Sequence, residues 1–338
     1  MLSCVEYAEG MGVLIEWKSL HSAPLIEASK QLNSVVIKID DQATLASRLK
    51  RARFIVDKLK REPSMALDKM QDIGGCRAIL RTEKDVRKAA KALRRKKHIK
   101  TAHNYLKSPK EDGYRGFHLT GRYFSQHVAG LYIEFQIRTR IQHAWATAGE
   151  ITELFTDKSI KNLVGDSEWN GFYNDLADIF SVIDTKITRR YIDLAIEPAK
   201  IIAPILKTLL NSQQKKTVQN IKRKQQKLNV MEKFQAYSNS LVFAEKQRTN
   251  ELLNGYFLIH VIGIKTTTPQ IKLRHYNEIA LQQAQTKTYE LEKRIADSDQ
   301  ELVVLVSSTA VGGIQESYPN YFADSLLFTR LVTARLSI

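Results

Sequence analysis

From Tyr132 to Arg138 apolar and polar residues alternate one by one. Ile133, Phe135 and Ile137 fall on one side, and Tyr132, Glu134, Gln136 and Arg138 on the other. A period of two is that of a β-strand with one face in a core, and it predicts a strand over 130–139. Related patterns predict strands over 76–82, 99–108 and 117–124, the last followed by a glycine-containing turn. Helical spacing takes over elsewhere. In 40–63, Leu45, Leu49, Ala52, Val56 and Leu59 make one stripe that ends before Pro63, which predicts a helix entered from acids. Further helices are expected over 83–97 and 140–155. The fold class that follows is α+β, a mixed β-sheet flanked by helices. From about 170 to 250 the pattern turns to long helices, with the polar run 211–229 expected as a solvent-exposed connection. Beyond it, strand 256–264, helix 270–297, strand 301–308 and helix 314–335 predict a small C-terminal α/β module. The division is placed between 1–215 and 216–338.

Charge sharpens this outline. The chain has 338 residues, 43% hydrophobic and 26% charged, an ordinary globular balance long enough for two domains, and a formal net charge of +16. Residues 48–110 hold 21 Lys and Arg against 6 Asp and Glu, so one segment supplies nearly all of the excess. Clustered positive charge favours a polyanionic partner such as nucleoside polyphosphates, RNA or DNA. Half of it, 84–100, fits equally well the solvated face of a helix. Cys4 and Cys76 can build neither a disulfide framework nor a metal quartet, so a reducing cytoplasm is the expected setting. The N-terminal residues show no signal-peptide pattern, and the longest apolar stretch, 256–264, is far too short to span a bilayer, so no membrane role is expected.

Candidate chemistry clusters in three stretches. The polar face of 132–138 carries a carboxylate, an amide and a guanidinium, although a solvated outer face would read the same way. In "DKMQDIGGCRAIL", Asp72 stands at the entrance to a strand beside Gly74 and Gly75, where backbone can approach a ligand closely. Asp72 and Glu134 together suit Mg2+ held against phosphate oxygens. Arg48, Lys50, Arg51, Lys58 and Arg77 would neutralise phosphate charge around them; a local pairing of Asp72 with Arg77 is the alternative. In "SPKEDGYRGFH" (108–118), Pro109 and Gly113 force a tight excursion, Lys110 and Arg115 offer charge, Tyr114 offers a flat face for a base, and His118 opens the next strand.

Four motifs in order, "RLK" (48–50), "DIGGCR" (72–77), "YLKSPKEDGYRGFH" (105–118) and "EFQIRTRIQHAWA" (134–146), resemble the RelA/SpoT-type synthetase domain, over roughly residues 35–190. The resemblance implies a nucleotidyltransferase-like fold and transfer of the β,γ-pyrophosphate of ATP to the 3′-hydroxyl of GDP or GTP. Carried over by position, Arg48, Lys50 and Lys58 bind ATP phosphates, Asp72 ligates Mg2+, and Glu134 assists the metal or activates the 3′-hydroxyl. Gln136 and Arg138 complete the strand, Tyr114 stacks on the acceptor base, and Lys110 and His118 hold its phosphates. Asp112 stands where relatives often carry asparagine, which puts guanine selectivity in question. Thr147 stands where many have glutamate, a role Glu150 can take one turn on. No His-Asp hydrolase motif precedes these stretches, so product degradation is not expected. Two other functions remain open: pyrophosphorylation of the tRNA 3′ end by a toxin-like relative, and a non-enzymatic RNA-binding module, which would need a broken site. The C-terminal module is expected as sensor, built-in inhibitor or oligomerisation unit. In 317–325, core packing is the expected role of Tyr318, Tyr321 and Phe322.

Overall fold

The computed structural model describes residues 4–124, 130–156, 167–186, 207–240, 242–243, 255–296, 298, 300–308, 313–322 and 324–336. Two helices open the chain, α1 (Cys4–Leu20) and α2 (Ser22–Val36), followed by β1 (Thr44–Leu49), α3 (Ala52–Arg61), β2 (Gly74–Leu80), α4 (Glu83–Arg94), β3 (Ile99–Asn104), β4 (Phe117–Tyr123), β5 (Leu131–Thr139) and α5 (Arg140–Thr156). Then come α6 (Ser167–Lys186), α7 (Ser212–Leu228), α8 (Val230–Ser240), β6 (Val242–Phe243), β7 (Tyr256–Ile262), β8 (Gln270–Tyr276), α9 (Leu281–Arg294), β9 (Glu301–Ser308), α10 (Gly313–Ser317) and α11 (Leu326–Leu336). The α+β class and the mixed sheet flanked by helices are as expected. Among the described residues nine strands make one sheet in the order β3-β4-β5-β2-β1-β9-β7-β8-β6. Pairing is antiparallel except between β2 and β5 and between β6 and β8. Strands from both sides of the expected 215/216 division share this sheet, because β9 pairs with β1 at Ala46–Arg48. Among the described residues no helix is long and apolar enough to cross a membrane.

Four expectations need correction, the first being the helix expected over 314–335, which is two, α10 and α11, with a turn at Pro319–Phe322 between them. Residues 44–49 are a strand, and the helix starts only at Ala52. Residues 270–276 are also a strand, with Ile271 and Leu273 buried on one face and Gln270, Lys272 and Arg274 exposed on the other. Finally, 212–228 is no free connection. Its Thr217, Val218, Ile221 and Leu228 are buried, and Lys224 and Lys227 pair with Asp175 and Glu168 of α6 at 2.8 and 3.0 Å. The helices expected across 187–206 and 244–250, like most of the turn after 124, lie outside the described residues.

The two faces of the sheet do different work. Cys76, Ala78 and Leu80 of β2 and Ile133, Phe135 and Ile137 of β5 pack with α2 and α4 into one core. The opposite faces of the same strands carry Gly75 and Arg77, and Glu134, Gln136 and Arg138, beneath α5 and the C-terminal turns. Parallel pairing sets Gly75 beside Glu134, Arg77 beside Gln136 and Ile79 beside Arg138. Helix α5 follows β5 without a loop because Thr139 and Gln142 cap it reciprocally, each side chain accepting the other's backbone N–H at 3.1 Å. The buried Asp184 of α6 accepts from both side chains, at 2.9 and 2.6 Å.

Candidate active site

Asp72 lies just before β2, where β1 and the first turns of α3 converge. Lys50, just past β1, donates to its Oδ2 at 2.7 Å, and Lys58 of α3 to its Oδ1 at 3.1 Å. Burial alone would push the Asp72 carboxyl up. The two ammonium groups outweigh it and hold the pKa below the ordinary carboxylate range. Arg77 does not pair with Asp72: its Nη2 donates to the Ser317 carbonyl at 2.7 Å.

Glu134 closes a ring of five side chains. Its Oε1 lies 2.8 Å from His118 Nδ1, His118 Nε2 lies 2.6 Å from the Tyr114 hydroxyl, and Arg138 Nε donates to that hydroxyl at 2.8 Å. Arg138 Nη2 donates to Gln136 Oε1 at 2.9 Å, and Gln136 Nε2 returns to Glu134 Oε2 at 2.7 Å. The direction of every bond follows from chemistry. Arg138 only donates, so the Tyr114 oxygen accepts, and its proton points to His118 Nε2. The His118 proton then sits on Nδ1 and is donated to Glu134. Burial favours this neutral imidazole and lowers its pKa. Burial would also raise the Glu134 pKa, but hydrogen bonds from His118 and Gln136, with the nearby Arg138, bring it down to about 2.

The loop between β3 and β4 is built around Gly113, whose φ of +86° suits glycine. A Cβ there would come within 2.8 Å of Asn174 Oδ1 and 2.9 Å of the Ala177 side chain on α6. Asp112 Oδ1 accepts the Tyr114 N–H at 2.9 Å, so this residue shapes the turn. Arg115 donates to the Leu106 carbonyl at 3.2 Å and lines a small cavity with Asp184, on the far side of the loop from Glu134. The Lys110 ammonium stands over the rings of Tyr105 and Tyr114, 4.9 and 5.2 Å from their centroids. Tyr114, expected to offer a flat face, is instead buried at 8% exposure.

The remaining arginines are held elsewhere. Arg48 Nη1 donates to the Tyr321 hydroxyl, and the influence of Tyr321 raises the Arg48 pKa despite burial. Arg77 lies 5.4 Å over the Tyr318 ring, while burial pushes its pKa down to about 10. Arg51 stacks on Phe54 at 3.9 Å and lines a cavity of about 320 Å³ with Glu292; burial lowers it to about 10 as well. The structure thus joins Lys50, Lys58 and Asp72, joins Glu134, Gln136, Arg138, Tyr114 and His118, sets Arg51 near Arg48 and Tyr321, and places Arg115 by Asp184. Tyr318, Tyr321 and Phe322 are buried, the packing role expected of them, and two of the three also touch the site arginines.

Two residues escaped the sequence reading. Tyr105 lies in the third motif without an assigned role, and His143 in "HAWA" gives no signal beyond its type. His143 is 8% exposed, and neither ring nitrogen has a hydrogen-bond partner. Arg77 Nε and Arg138 Nη1 also lack partners. Buried donors of this kind point to a polar ligand or water on this face.

Part of the chain is similar to known proteins. Residues 47–155 match the region found in RelA / SpoT proteins. The GTP pyrophosphokinase YjbM of Bacillus subtilis (strain 168) is 32% identical over 110 residues, 30% of this chain and 52% of the relative, so the match spans about half of that protein. Among solved structures, the small alarmone synthetase 1 from Bacillus subtilis is 19% identical, with a TM-score of 0.44 over 53% of this chain and 96% of that one. A GTP pyrophosphokinase family protein from Streptococcus pneumoniae is 20% identical, with a TM-score of 0.41 over 55% and 98%. Four ordered motifs and the family match coincide on one stretch of sequence: residues 47–155 are similar to the region found in RelA / SpoT proteins.

Proposed function

We propose that this chain transfers the β,γ-pyrophosphate of ATP to the 3′-hydroxyl of GDP or GTP, making (p)ppGpp. The observation that carries this reading is the pair of ionised carboxylates near enough to influence each other, Asp72 between two ammonium groups at the entrance to β2 and Glu134 in its hydrogen-bonded ring on β5. Its sequence relative is named a GTP pyrophosphokinase. Phosphoryl chemistry needs charge neutralisation and in-line positioning more than covalent catalysis. Lys50 and Lys58 would exchange Asp72 for ATP phosphates, with Arg48 and Arg77 completing the donor side, while Lys110 serves the acceptor and His118, both ring nitrogens engaged, positions Glu134.

Mg2+ fits this donor set. Among the described residues no three His, Cys, Asp or Glu side chains form a metal cage, but magnesium binds through one or two carboxylates plus substrate phosphates. Asp72 and Glu134 would supply the carboxylates, and the ion when bound would neutralise phosphate charge. A carboxylate of pKa about 2 is a weak general base near neutrality. Glu134 therefore acts by orienting and by electrostatics rather than by holding the proton.

The C-terminal residues read as a built-in inhibitor. ATP using Arg48 and Arg77 must displace Tyr321, Tyr318 and the Ser317 carbonyl. A tRNA acceptor is the second reading, favoured by one surface. Lys84, Lys88, Lys91, Arg94, Arg95, Lys96, Lys97 and Lys100 are all exposed along α4 and into β3, and β3 leads to the acceptor loop. Purified protein with Mg2+ and γ-labelled ATP, offered GDP, GTP, ATP and deacylated tRNA separately, tests both. Label in a guanosine tetra- or pentaphosphate is the expected result. Label on tRNA alone replaces the first reading by the second, and no label with any acceptor rejects both for the chain as it stands.

A further inference from the structure

Helix α3 carries Lys58 and follows directly on Lys50 and Arg51, so the two ammonium groups on Asp72 depend on where it sits. Its own sequence starts it poorly. The N-cap position is Arg51, whose side chain makes no capping hydrogen bond, and the first turn holds Arg53 and no acid. A helix N-terminus leaves backbone N–H groups without partners and carries partial positive charge, so it favours Ser, Thr, Asp or Asn at that position and disfavours cations. The missing carboxylate arrives from 240 residues further along the chain. Glu292 of α9 is buried at 7% exposure, and its Oε1 accepts the N–H of Ala52, the first residue of α3, at 3.4 Å. Lys18 of α1 holds the same carboxylate, donating to Oε1 at 2.8 Å and to Oε2 at 2.6 Å. Within α9 the position is unfavourable. Glu292 stands in the last turn, where a helix prefers cations such as its neighbours Lys293 and Arg294, so the carboxylate serves α3 rather than its own helix.

We infer that Glu292 is a positioning residue for the donor side of the site: it supplies the cap that α3 lacks and so keeps Lys50 and Lys58 aimed at ATP phosphates. This rests on the donor-side reading of Lys50, Lys58 and Asp72 above. The rest of α3 is built to pass the effect on. Ala52 and Ile55 are buried with Met11 and Leu14 of α1 and with Met70 and Ile73, on either side of Asp72 in sequence, and the Lys50 N–H donates to the Ile73 carbonyl at 2.7 Å. Beside Glu292 the two helices part. A cavity of about 320 Å³ lies between Val56 and Lys60 of α3 and Ile295 and Ala296 at the end of α9, so side-chain packing there does not replace the cap. The C-terminal residues then act on the donor side in two opposite ways, engaging its arginines through Tyr318 and Tyr321 and holding its lysines through Glu292.

The test is equilibrium binding of ATP and of GDP, each with Mg2+, to the full-length protein, alongside thermal unfolding. Glu292→Gln is expected to weaken ATP roughly three- to thirtyfold, up to the full worth of a helix cap, and to leave GDP unchanged. Glu292→Asp keeps the charge but falls a methylene short of Ala52. It is expected to weaken ATP in the same direction with a smaller loss of Tm, and it decides the matter where Glu292→Gln does not fold. Lys18→Met breaks the same ion pair yet leaves the carboxylate on α3, so it is expected to lower Tm and spare ATP affinity, which a merely structural role for Glu292 would not do. Adding Arg53→Glu to Glu292→Gln returns a negative charge to the first turn of α3 and should recover part of the ATP affinity. Unchanged ATP affinity in the Glu292 variants, an equal loss for GDP, an equal loss in Lys18→Met, or no recovery with Arg53→Glu overturns the inference. Binding needs no turnover, so a parent protein that binds ATP with this dependence on Glu292 but transfers nothing overturns only the function proposed above. A parent that binds no ATP overturns both.

Discussion

Glu134 shows how far a side chain's surroundings decide its chemistry. With two donors on its oxygens it stays charged across the physiological range, and its partners fix where it points. Replacing it by Gln keeps the shape but sets an amide NH2 or a neutral oxygen against His118 and Gln136. We expect Glu134→Gln and Asp72→Asn each to lower pyrophosphate transfer by about a hundredfold or more with circular dichroism unchanged; a variant with near-parental initial rate would remove that residue from the mechanism. Asp184 carries a different expectation. Burial raises its pKa from 3.8 to about 7 against the hydrogen bonds from Thr139 and Gln142. The folded chain therefore holds a proton that the unfolded chain releases between these values, so its contribution is complete below the lower value and is lost as pH rises through about 7. Asp184→Asn keeps an acceptor for both donors, and its Tm should fall less than the parent's between about pH 5 and 8. Parallel Tm curves for the two proteins would show that Asp184 does not titrate in that window.

At the scale of single elements, the sequence was legible wherever one period stood alone. Residues 131–139 alternate, and the strand buries the residues that the alternation assigns. The first strand misled because Leu45 and Leu49 are four apart, a spacing that satisfies a helical stripe and also an even strand step. Residues 270–276 alternate as well, but they run into α9 after only a short turn at Glu278–Ala280, and the longer pattern absorbed the shorter. The paired glycines of β2 also separate. A Cβ on Gly74 would lie 2.5 Å from Ile133 Cδ1, whereas one on Gly75 meets nothing closer than the Glu134 carbonyl at 3.9 Å. Gly74 serves core packing, and only Gly75 leaves room on the site face. Gly74→Ala should cost about 1–3 kcal/mol by denaturant unfolding, and Gly75→Ala should unfold like the parent but turn over more slowly. Equal stability for the two would contradict this division of roles.

The molecule as a whole holds what no local motif could reveal. Adding β9, β7 and β8 to the edge of β1 brings Ser317–Phe322 against Arg48 and Arg77, some 270 residues along the chain from Arg48. The aromatic character of 317–325 was visible in the sequence, and so was its tendency to pack. Its position over two arginines was not, because it depends on a pairing between distant strands. The positive charge was legible only in part: Lys50 and Lys58 face Asp72, while the lysines of α4 face solvent. The most direct test of a catalytic site covered by its own C-terminal residues is the initial rate of guanosine pentaphosphate formation at low ATP. It would be compared among the parent, Tyr321→Phe, and Tyr321→Phe combined with Glu134→Gln. Removing one hydrogen bond to a charged group should raise the rate roughly tenfold, and adding Glu134→Gln should abolish it. A rate that Tyr321→Phe leaves unchanged would contradict the cover, and product formed without Glu134 would contradict the site.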